Sequence, residues 1–420
     1  HRTRNFPYHA PDKWQNFKRY NQRDVEVEMA ISQKLSHYPV PKSEWELYWM
    51  DQLINDRGIR VDQQLVQNAI ECDQTYRSQY FTQSQQITGL ENPNSPIQLK
   101  NWLNDHGLQV ESLAKSAVSE GLKKATGKVR EVLILRQLLS KSSIKKYQAM
   151  QNAMAPDGRV HGLLQFYGAT RTGRWAGRLV QVQNLPRNSL PELANVRELV
   201  KQGNYQSLGL IYDSVPNLLS QLIRTAFVPK DDCSFYVADF SAVEARVIAW
   251  LSNESFAHNK DIYCASASQM FGVPVVKHGI NSDLRQKGKI AELALGYGGS
   301  VGALKAMGAT KMGLSEKELP DLVTMWREAS PKIVQFWWDM DQAAKQCIKT
   351  HLPTATHGMK FTYQGHCLFI QLRSGRKLCY PKPRIGINRF GSESITFMGI
   401  NAVKKWDRIE TYGAKLVENL

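Results

Sequence analysis

Residues 237–252 read VADFSAVEARVIAWLS. An apolar run, Phe235-Tyr236-Val237-Ala238, meets Asp239, and Glu244 follows five residues later. The pattern predicts a buried strand over 234–240 and then a helix over 242–251, with Val243, Val247, Trp250 and Leu251 at helical spacing. A carboxylate at the end of a strand is a rigid place to hold a divalent cation while leaving room for a substrate. An aspartate that merely solvates the strand end fits the same pattern. Glu244 also has a structural reading, because Ser241 and Glu244 have the spacing of a capping box.

A second stretch, DLRQKGKIAELALGYGGS at 283–300, spaces Arg285, Lys289, Leu293 and Tyr297 four residues apart, which aligns them along one face of a helix. Arg285, Lys287 and Lys289 crowd the N-terminal half, the end that the helix dipole already makes positive. Such a placement invites an anion, and a triphosphate suits both the charges and the dipole. A solvated basic face would show the same spacing. GYGG at 296–299 matches neither a dinucleotide nor a P-loop pattern.

The rest of the chain sets the context. Its 420 residues, 42% hydrophobic and 22% charged, are enough for two or three packed units. The net charge of +16 points to a polyanionic partner. Nine Lys/Arg against three acids fall between Glu111 and Met150, four Arg and no acid between Arg171 and Asn188, and six Lys/Arg and no acid between Gln371 and Phe390. Three separated basic stretches suit a long polymer better than a small anion. The six cysteines have no zinc spacing, and they read as the reduced thiols of an intracellular protein. No apolar run is long enough to span a membrane, and HRTRNFPYHAPD at 1–12 has no apolar leader.

Helices are expected over 45–56, from the turn at Gly58 to Gln86, over 129–150 and through much of 261–350. CLFIQL and KLCYP around RSGR read as a hairpin. A polar insertion is expected over 190–215. The final stretch, ITFMGINAVKKWDRIETYGAKLVENL, reads as helical and runs to Leu420 without a stop signal. With His1 in place of a Met, this predicts a fragment truncated at both ends.

Four blocks in order carry a resemblance to family A DNA polymerases, the DNA polymerase I family. ADFSAVEAR resembles their motif A and RQKGKIAELALGYG their motif B, the fingers O helix. TGRWAGRLVQVQNLPR (172–187) is similar to their Thr-Gly-Arg…Gln-Asn-Leu-Pro segment, and DIYCASASQMFG (261–272) to their Asp-Ile-His…Phe-Gly. The resemblance covers most of 45–420. It implies an α+β fold of right-hand architecture, mostly helical with a central antiparallel palm sheet.

Under that resemblance, residues 1–40 are the tail of a 3′–5′ exonuclease domain, with Tyr20 and Asp24 similar to its last motif. Residues 41–230 hold the thumb (about 85–155) and the first part of the palm. The palm motif A strand and helix follow at 231–252, the fingers at 253–350, and the return to the palm at 351–420.

The activity implied is template-directed addition of dNTPs to a primer 3′-hydroxyl with release of pyrophosphate. Two Mg²⁺ ions, with Mn²⁺ as an alternative, would be held by Asp239 and the Phe240 carbonyl. Glu244 resembles the steric gate against a ribose 2′-hydroxyl. Arg285 and Lys289 would hold the triphosphate, with Lys289 also a proton donor to pyrophosphate, and Leu293 would line the dNTP site. Tyr297, Gly298 and Ser300 would lie beside the nascent pair and template. Arg174, Gln183 and Asn184 would read minor-groove acceptors common to every base pair. The implied partners are primer–template DNA, dNTPs and processivity proteins, with no membrane.

The sequence also departs from the family pattern. Leu293 replaces the O-helix aromatic, Tyr263 replaces a His, and Glu292 stands where Asn is frequent. The His-Asp-Glu turn that carries the family's second catalytic carboxylate is missing between 300 and 420, so the 420 residues are expected to be nearly inert alone. Leu293, the insertion after Pro186 and the basic RSGRKLCYPKPR hairpin resemble a phage replicative member. A single-subunit RNA polymerase would share the palm and fingers, but Glu244 argues against it. A non-catalytic DNA-binding protein on the same scaffold is the third reading.

Overall fold

The computed structural model describes residues 6–420 except 143, 170, 213, 256–260, 313, 389 and 402, and the side chain of Lys311. The first five residues of the stretch read above for a leader lie outside the described residues. The chain divides into two compact units, 1–235 and 236–420.

In the first unit, α1 (Pro11–Leu35) buries none of its residues, and α2 (Lys42–Arg57) buries only Asp51. Gly58, with a φ of 61°, ends α2 and turns the chain into β1 (Ile59–Arg60). Next comes α3 (Gln63–Thr88), the spine of this unit. Asp62 caps it by accepting from the Leu65 amide at 3.0 Å, and its other oxygen pairs with Arg197 and Lys201. Leu65, Val66, Ala69 and Ile70 then fall on one buried face, as helical periodicity requires.

The helices α4 (Pro96–Asp105), α5 (Lys115–Lys124) and α6 (Gly127–Leu139) close a small core around Leu99, Leu103, Val132 and Leu133. Then come α7 (Lys145–Ala153), β2 (Arg159–Val160), β3 (Leu164–Ala169) and β4 (Arg174–Gly177). β2 pairs with β1, and β3 with β4, both antiparallel. α8 (Leu193–Lys201), α9 (Tyr205–Ile211) and α10 (Val215–Leu222) complete the unit.

Two expectations change here. The helix expected over 129–150 is two helices, α6 and α7, separated at 140–144. Its predicted apolar face, Val132, Leu135 and Leu139, is nevertheless buried. The 190–215 stretch is not merely a polar insertion: Val196, Val200 and Leu208 are fully buried, because α8 and α9 lay an apolar stripe into the core formed with α3 and α10.

The second unit contains α11 (Val243–Ser252), α12 (Ile262–Phe271), α13 (Ser282–Leu295), α14 (Val301–Ala306), α15 (Glu318–Ala329) and α16 (Pro331–Thr350). The strands β5 (Thr354–Thr356), β6 (Met359–Gln364), β7 (Cys367–Gln371) and β8 (Lys377–Pro381) form an antiparallel meander, which includes the expected hairpin. β9 (Arg384–Ile387), β10 (Glu393–Ile400) and β11 (Trp406–Thr411) form a second sheet, and α17 (Gly413–Val417) follows. Phe336, Met340, Ala344 and Cys347 of α16 pack into one core with both sheets, where Tyr380 meets Phe397 edge-on at 5.0 Å.

The fold class is therefore α+β, with helices predominating over small antiparallel sheets. The 395–420 stretch is a correction: it forms β10, a turn, β11 and a short helix. Ile395 and Phe397 alternate into the core with period two, and Asn401 accepts from the Val403 and Lys405 amides to make the turn.

The larger correction is at 234–240. This segment is neither a strand nor buried, with Tyr236 at 99% and Phe240 at 83% exposure. A strand needs hydrogen-bonded neighbours as well as apolar residues, and among the described residues none pairs with it. No described helix is long and apolar enough to cross a membrane.

Candidate nucleotide-binding site

The helix expected at 283–298 is α13, ending at Leu295. Its buried face consists of Gly288, Ile290, Ala291, Glu292, Ala294 and Leu295. Arg285, Lys289 and Leu293 run along its accessible side, Leu293 at 36% exposure, whereas Tyr297 lies in the turn beyond the helix end, half-buried against the core.

Gly288 brings α12 and α13 together. A Cβ there would stand 2.6 Å from the Tyr263 carbonyl oxygen and 2.9 Å from the Ala267 Cβ, so only glycine fits this approach. The close approach lets Asp261 serve both helices. Its Oδ1 caps α12 by accepting from the Tyr263 and Cys264 amides, each at 3.1 Å, and its Oδ2 accepts from Arg285 Nε at 2.8 Å. Burial would raise the Asp261 pKa, but the guanidinium and the two amides outweigh it and hold the carboxyl below its ordinary range. The guanidinium also lies over the Tyr263 ring, 5.5 Å from its centroid.

Glu244 belongs to the same neighbourhood. The Tyr263 phenol is held above its ordinary value first by burial and then by the Glu292, Asp261 and Glu244 carboxylates, with Arg285 opposing them. Glu244, Asp261 and Arg285 are thus each within electrostatic reach of the Tyr263 phenol.

Sequence reasoning missed Asp261 as the partner of Arg285. An Asp just before an apolar helical run was the available signal. Of the three cations near the start of α13, Arg285 is paired and Lys287 lies 4.0 Å from Glu318. Lys289 has no ion pair among the described residues.

The expected capping box at Ser241 and Glu244 is not formed. α11 starts one residue later, behind Ala242 in a left-handed conformation, and no side chain caps it. Of the four apolar residues noted at helical spacing, only Leu251 is buried. Ala245, Ile248, Ala249 and Leu251 face inward, while Val243, Val247 and Trp250 are exposed and Arg373 stacks over Trp250 at 4.7 Å. Small residues allow the close approach to α16 that a row of Val and Trp would prevent.

Asp239 and Phe240 lie on the exposed segment, and Asp239 has no hydrogen bond or ion pair among the described residues. Among those residues no group of three or more His, Cys, Asp or Glu converges to hold a metal. The anticipated pair of Mg²⁺ or Mn²⁺ ions therefore finds single oxygen donors here and no full ligand set.

Gly298, with a φ of 73°, packs on α17, where a Cβ would meet the Ala414 Cβ at 2.6 Å. Ser300 is exposed at the start of α14. In the first unit, Arg174 on β4 and Gln183 and Asn184 in the 3-10 turn after it are exposed together. Tyr20 and Asp24 are exposed one turn apart on α1. A cavity of about 490 Å³ in this unit is lined by Tyr48, Asp51, Asn55, His161, Phe166 and Arg178, none of them a predicted site residue.

A basic helix face braced by an acidic N-cap has the charge to suit an anionic ligand. The profile of DNA polymerase family A matches residues 64–361, and the chain belongs to that family. It is 52% identical over 428 residues to a DNA polymerase of Bacillus phage SP02, an alignment covering 100% of this chain and 66% of that protein. It is 28% identical over 195 residues to the DNA polymerase I of Caldicellulosiruptor bescii, covering 45% and 19% of the two chains. Among solved structures, the POL domain of Pol1 from M. smegmatis, in complex with DNA primer-template and dNTP, aligns with a TM-score of 0.49 and 21% identity, over 71% of this chain and 48% of that one. The chain spans less than two thirds of the phage and bacterial relatives' length.

Proposed function

We propose that these residues are the DNA- and nucleotide-handling part of a template-directed DNA polymerase, which extends a primer 3′-hydroxyl with dNTPs and releases pyrophosphate. The observation that carries this reading is the accessible row on α13, with Arg285 braced by Asp261 and Lys289 one turn further along.

In this reading Arg285 and Lys289 hold the triphosphate. The Asp261 bond fixes the guanidinium through Nε and leaves its terminal nitrogens directed by that anchor. Lys289 neutralises charge as pyrophosphate departs, and its ammonium is the proton source within reach of that end. Leu293 offers an aliphatic surface where the family has an aromatic ring, with Tyr297, Gly298 and Ser300 beyond it toward the template. Glu244, close to Tyr263, crowds a ribose 2′-hydroxyl and so favours deoxynucleotides. Asp239 and the Phe240 carbonyl are donors for a divalent ion, but because the ligand set is incomplete no step is assigned to a metal.

Arg174, Gln183 and Asn184 would follow the minor groove, and the exposed Lys115, Lys123, Lys124 and Lys128 on α5 and α6 would grip duplex phosphates as a thumb. The assignment of 253–350 to the fingers, of 231–252 and 351–420 to the palm, and of α1 with Tyr20 and Asp24 to an exonuclease remnant belongs to the same proposal. So does an intracellular setting, where DNA and dNTPs are found.

Fluorescence anisotropy with a dideoxy-terminated primer–template tests it. Binding should weaken steeply with salt. The templated dNTP should tighten it, while mismatched dNTPs and the matching rNTP should not. Lys289→Ala should remove the nucleotide effect and leave DNA binding intact. Tightening by dNTP and rNTP alike would point to the RNA polymerase reading. DNA binding with no nucleotide effect would leave the non-catalytic reading.

A further inference from the structure

Glu292 has no role in the reading above, yet it is a carboxylate at 3% exposure in the middle of the helix that carries the site. Its Oε1 accepts from the Trp326 indole N–H at 2.8 Å, and its Oε2 is buried with no hydrogen-bond partner among the described residues. Trp326, from α15, is fully buried and stacks on Trp337 of α16, with centroids 6.0 Å apart and planes 17° apart. The Trp337 indole in turn donates at 3.0 Å to the carbonyl of Gly296, the C-cap of α13. Two stacked indoles from two helices thus grip α13 at points one turn apart, through one side chain and one terminal carbonyl.

The physical consequence is rotational. Helices slide and rotate easily over apolar contacts, because those contacts are non-directional. A buried carboxylate on the contact face is directional: rotating α13 would pull it off the Trp326 indole without returning it to water, at the cost of a poorly paired buried charge. Glu292 lies three residues beyond Lys289, and Gly296 immediately precedes Tyr297. Fixing their orientation therefore fixes where the Arg285–Lys289–Tyr297 row points.

We infer that Glu292 is a positioning residue, which uses its bond to Trp326 and the Trp326–Trp337 stack to set the rotation of α13, so that Arg285 and Lys289 face the incoming nucleotide. The nucleotide part of this inference rests on the polymerase reading, whereas the clamp itself does not.

Three variants test it in the 420-residue chain: Glu292→Met removes the acceptor at near-native volume, Trp326→Phe removes the donor, and Glu292→Gln keeps an acceptor oxygen. Circular dichroism first confirms that each is folded. Amide hydrogen exchange across 289–296 should speed up roughly tenfold in Glu292→Met and Trp326→Phe, the size expected for one lost hydrogen bond to a charged group, and stay near wild type in Glu292→Gln. Affinity for the templated dNTP on primer–template DNA should fall by a similar factor in the first two and recover in Glu292→Gln, with DNA affinity unchanged throughout.

Unchanged exchange in both disruptive variants overturns the clamp. Faster exchange with unchanged nucleotide affinity overturns the positioning role. A Glu292→Gln variant as impaired as Glu292→Met shows that the acceptor is not the cause. If the wild type shows no nucleotide effect, the polymerase reading fails, and the clamp stands or falls on the exchange data.

Discussion

The segment at 234–240 and the helix α13 looked equally definite as patterns, and they fare differently. One is an apolar run ending in a carboxylate, and it is irregular and exposed. The other is a mixed run of Lys, Ala, Leu and Gly, and it is a helix with one buried and one accessible side. A helix satisfies its backbone within four residues, and the helices that cover α13 come from 261–350, all close in sequence. A strand must borrow partners from elsewhere, so its apolar content alone does not form it. Local patterns are reliable where the interactions they imply are also local.

This comparison can be broken, beginning with the largest effect. Gly288→Val should destabilise the chain by about 3 kcal/mol, the upper range for overpacking. At an open helical position, losing glycine would instead gain up to ~1 kcal/mol. The 2.6 Å approach to the Tyr263 carbonyl decides the sign, and urea denaturation measures it. A neutral or stabilising result would mean that α12 and α13 are not in contact.

Next in size, Lys289→Ala should weaken dNTP-dependent tightening on primer–template DNA by roughly 10- to 100-fold, the scale of a lost charge-assisted bond. The same substitution at Lys305, which already pairs with Glu316, should change it little. Equal effects would dissolve the special status of the row.

The third prediction concerns pH. Burial pushes the Glu292 carboxyl up to about 6 from an ordinary value of 4.5, against the Ser266 hydroxyl and the Trp326 indole and with help from Glu254. A raised carboxyl pKa means that the folded state holds its proton more tightly than the unfolded state. Stability from this group is therefore fully present below about 4.5, is lost as pH rises towards 6, and is flat above. The loss is about 2 kcal/mol. Subtracting the pH profile of Glu292→Gln from that of the wild type isolates it. A difference that does not change between pH 4.5 and 7 would mean that Glu292 is solvated.

The smallest effect sharpens the other half of the comparison. Val237→Ser should shift stability by no more than about 0.5 kcal/mol, because Val237 is exposed. A loss several times larger would show that 234–240 is buried in solution.

Much of the local structure around the candidate site was legible in the sequence. The spacing of Arg285, Lys289 and Leu293 gave a helix face, and the structure presents it, while Tyr297 falls in the turn after the helix ends. The β7–β8 hairpin followed from alternation around a Gly-containing turn, and the buried face of α6 followed from its periodicity. The C-terminal stretch was misread, because a run such as Ile-Thr-Phe-Met-Gly-Ile is short enough to suit either period, and pairing with β9 and β11 made it a strand. The spacing of Val243, Val247, Trp250 and Leu251 matched the helix α11 but not its inward face, which Leu251 shares with Ile248 and the small Ala245 and Ala249.

The sequence by itself determined membership of the polymerase family, the helices and the order of charges along α13, because spacing and periodicity are properties of neighbouring residues. Only the tertiary structure decided that Asp261 holds Arg285, that Trp326 holds Glu292, and that the residues around Asp239 stand in solvent. Those outcomes depend on which helices and strands meet, and a hydrogen bond between side chains 24 or 34 residues apart leaves no mark in the local pattern of either.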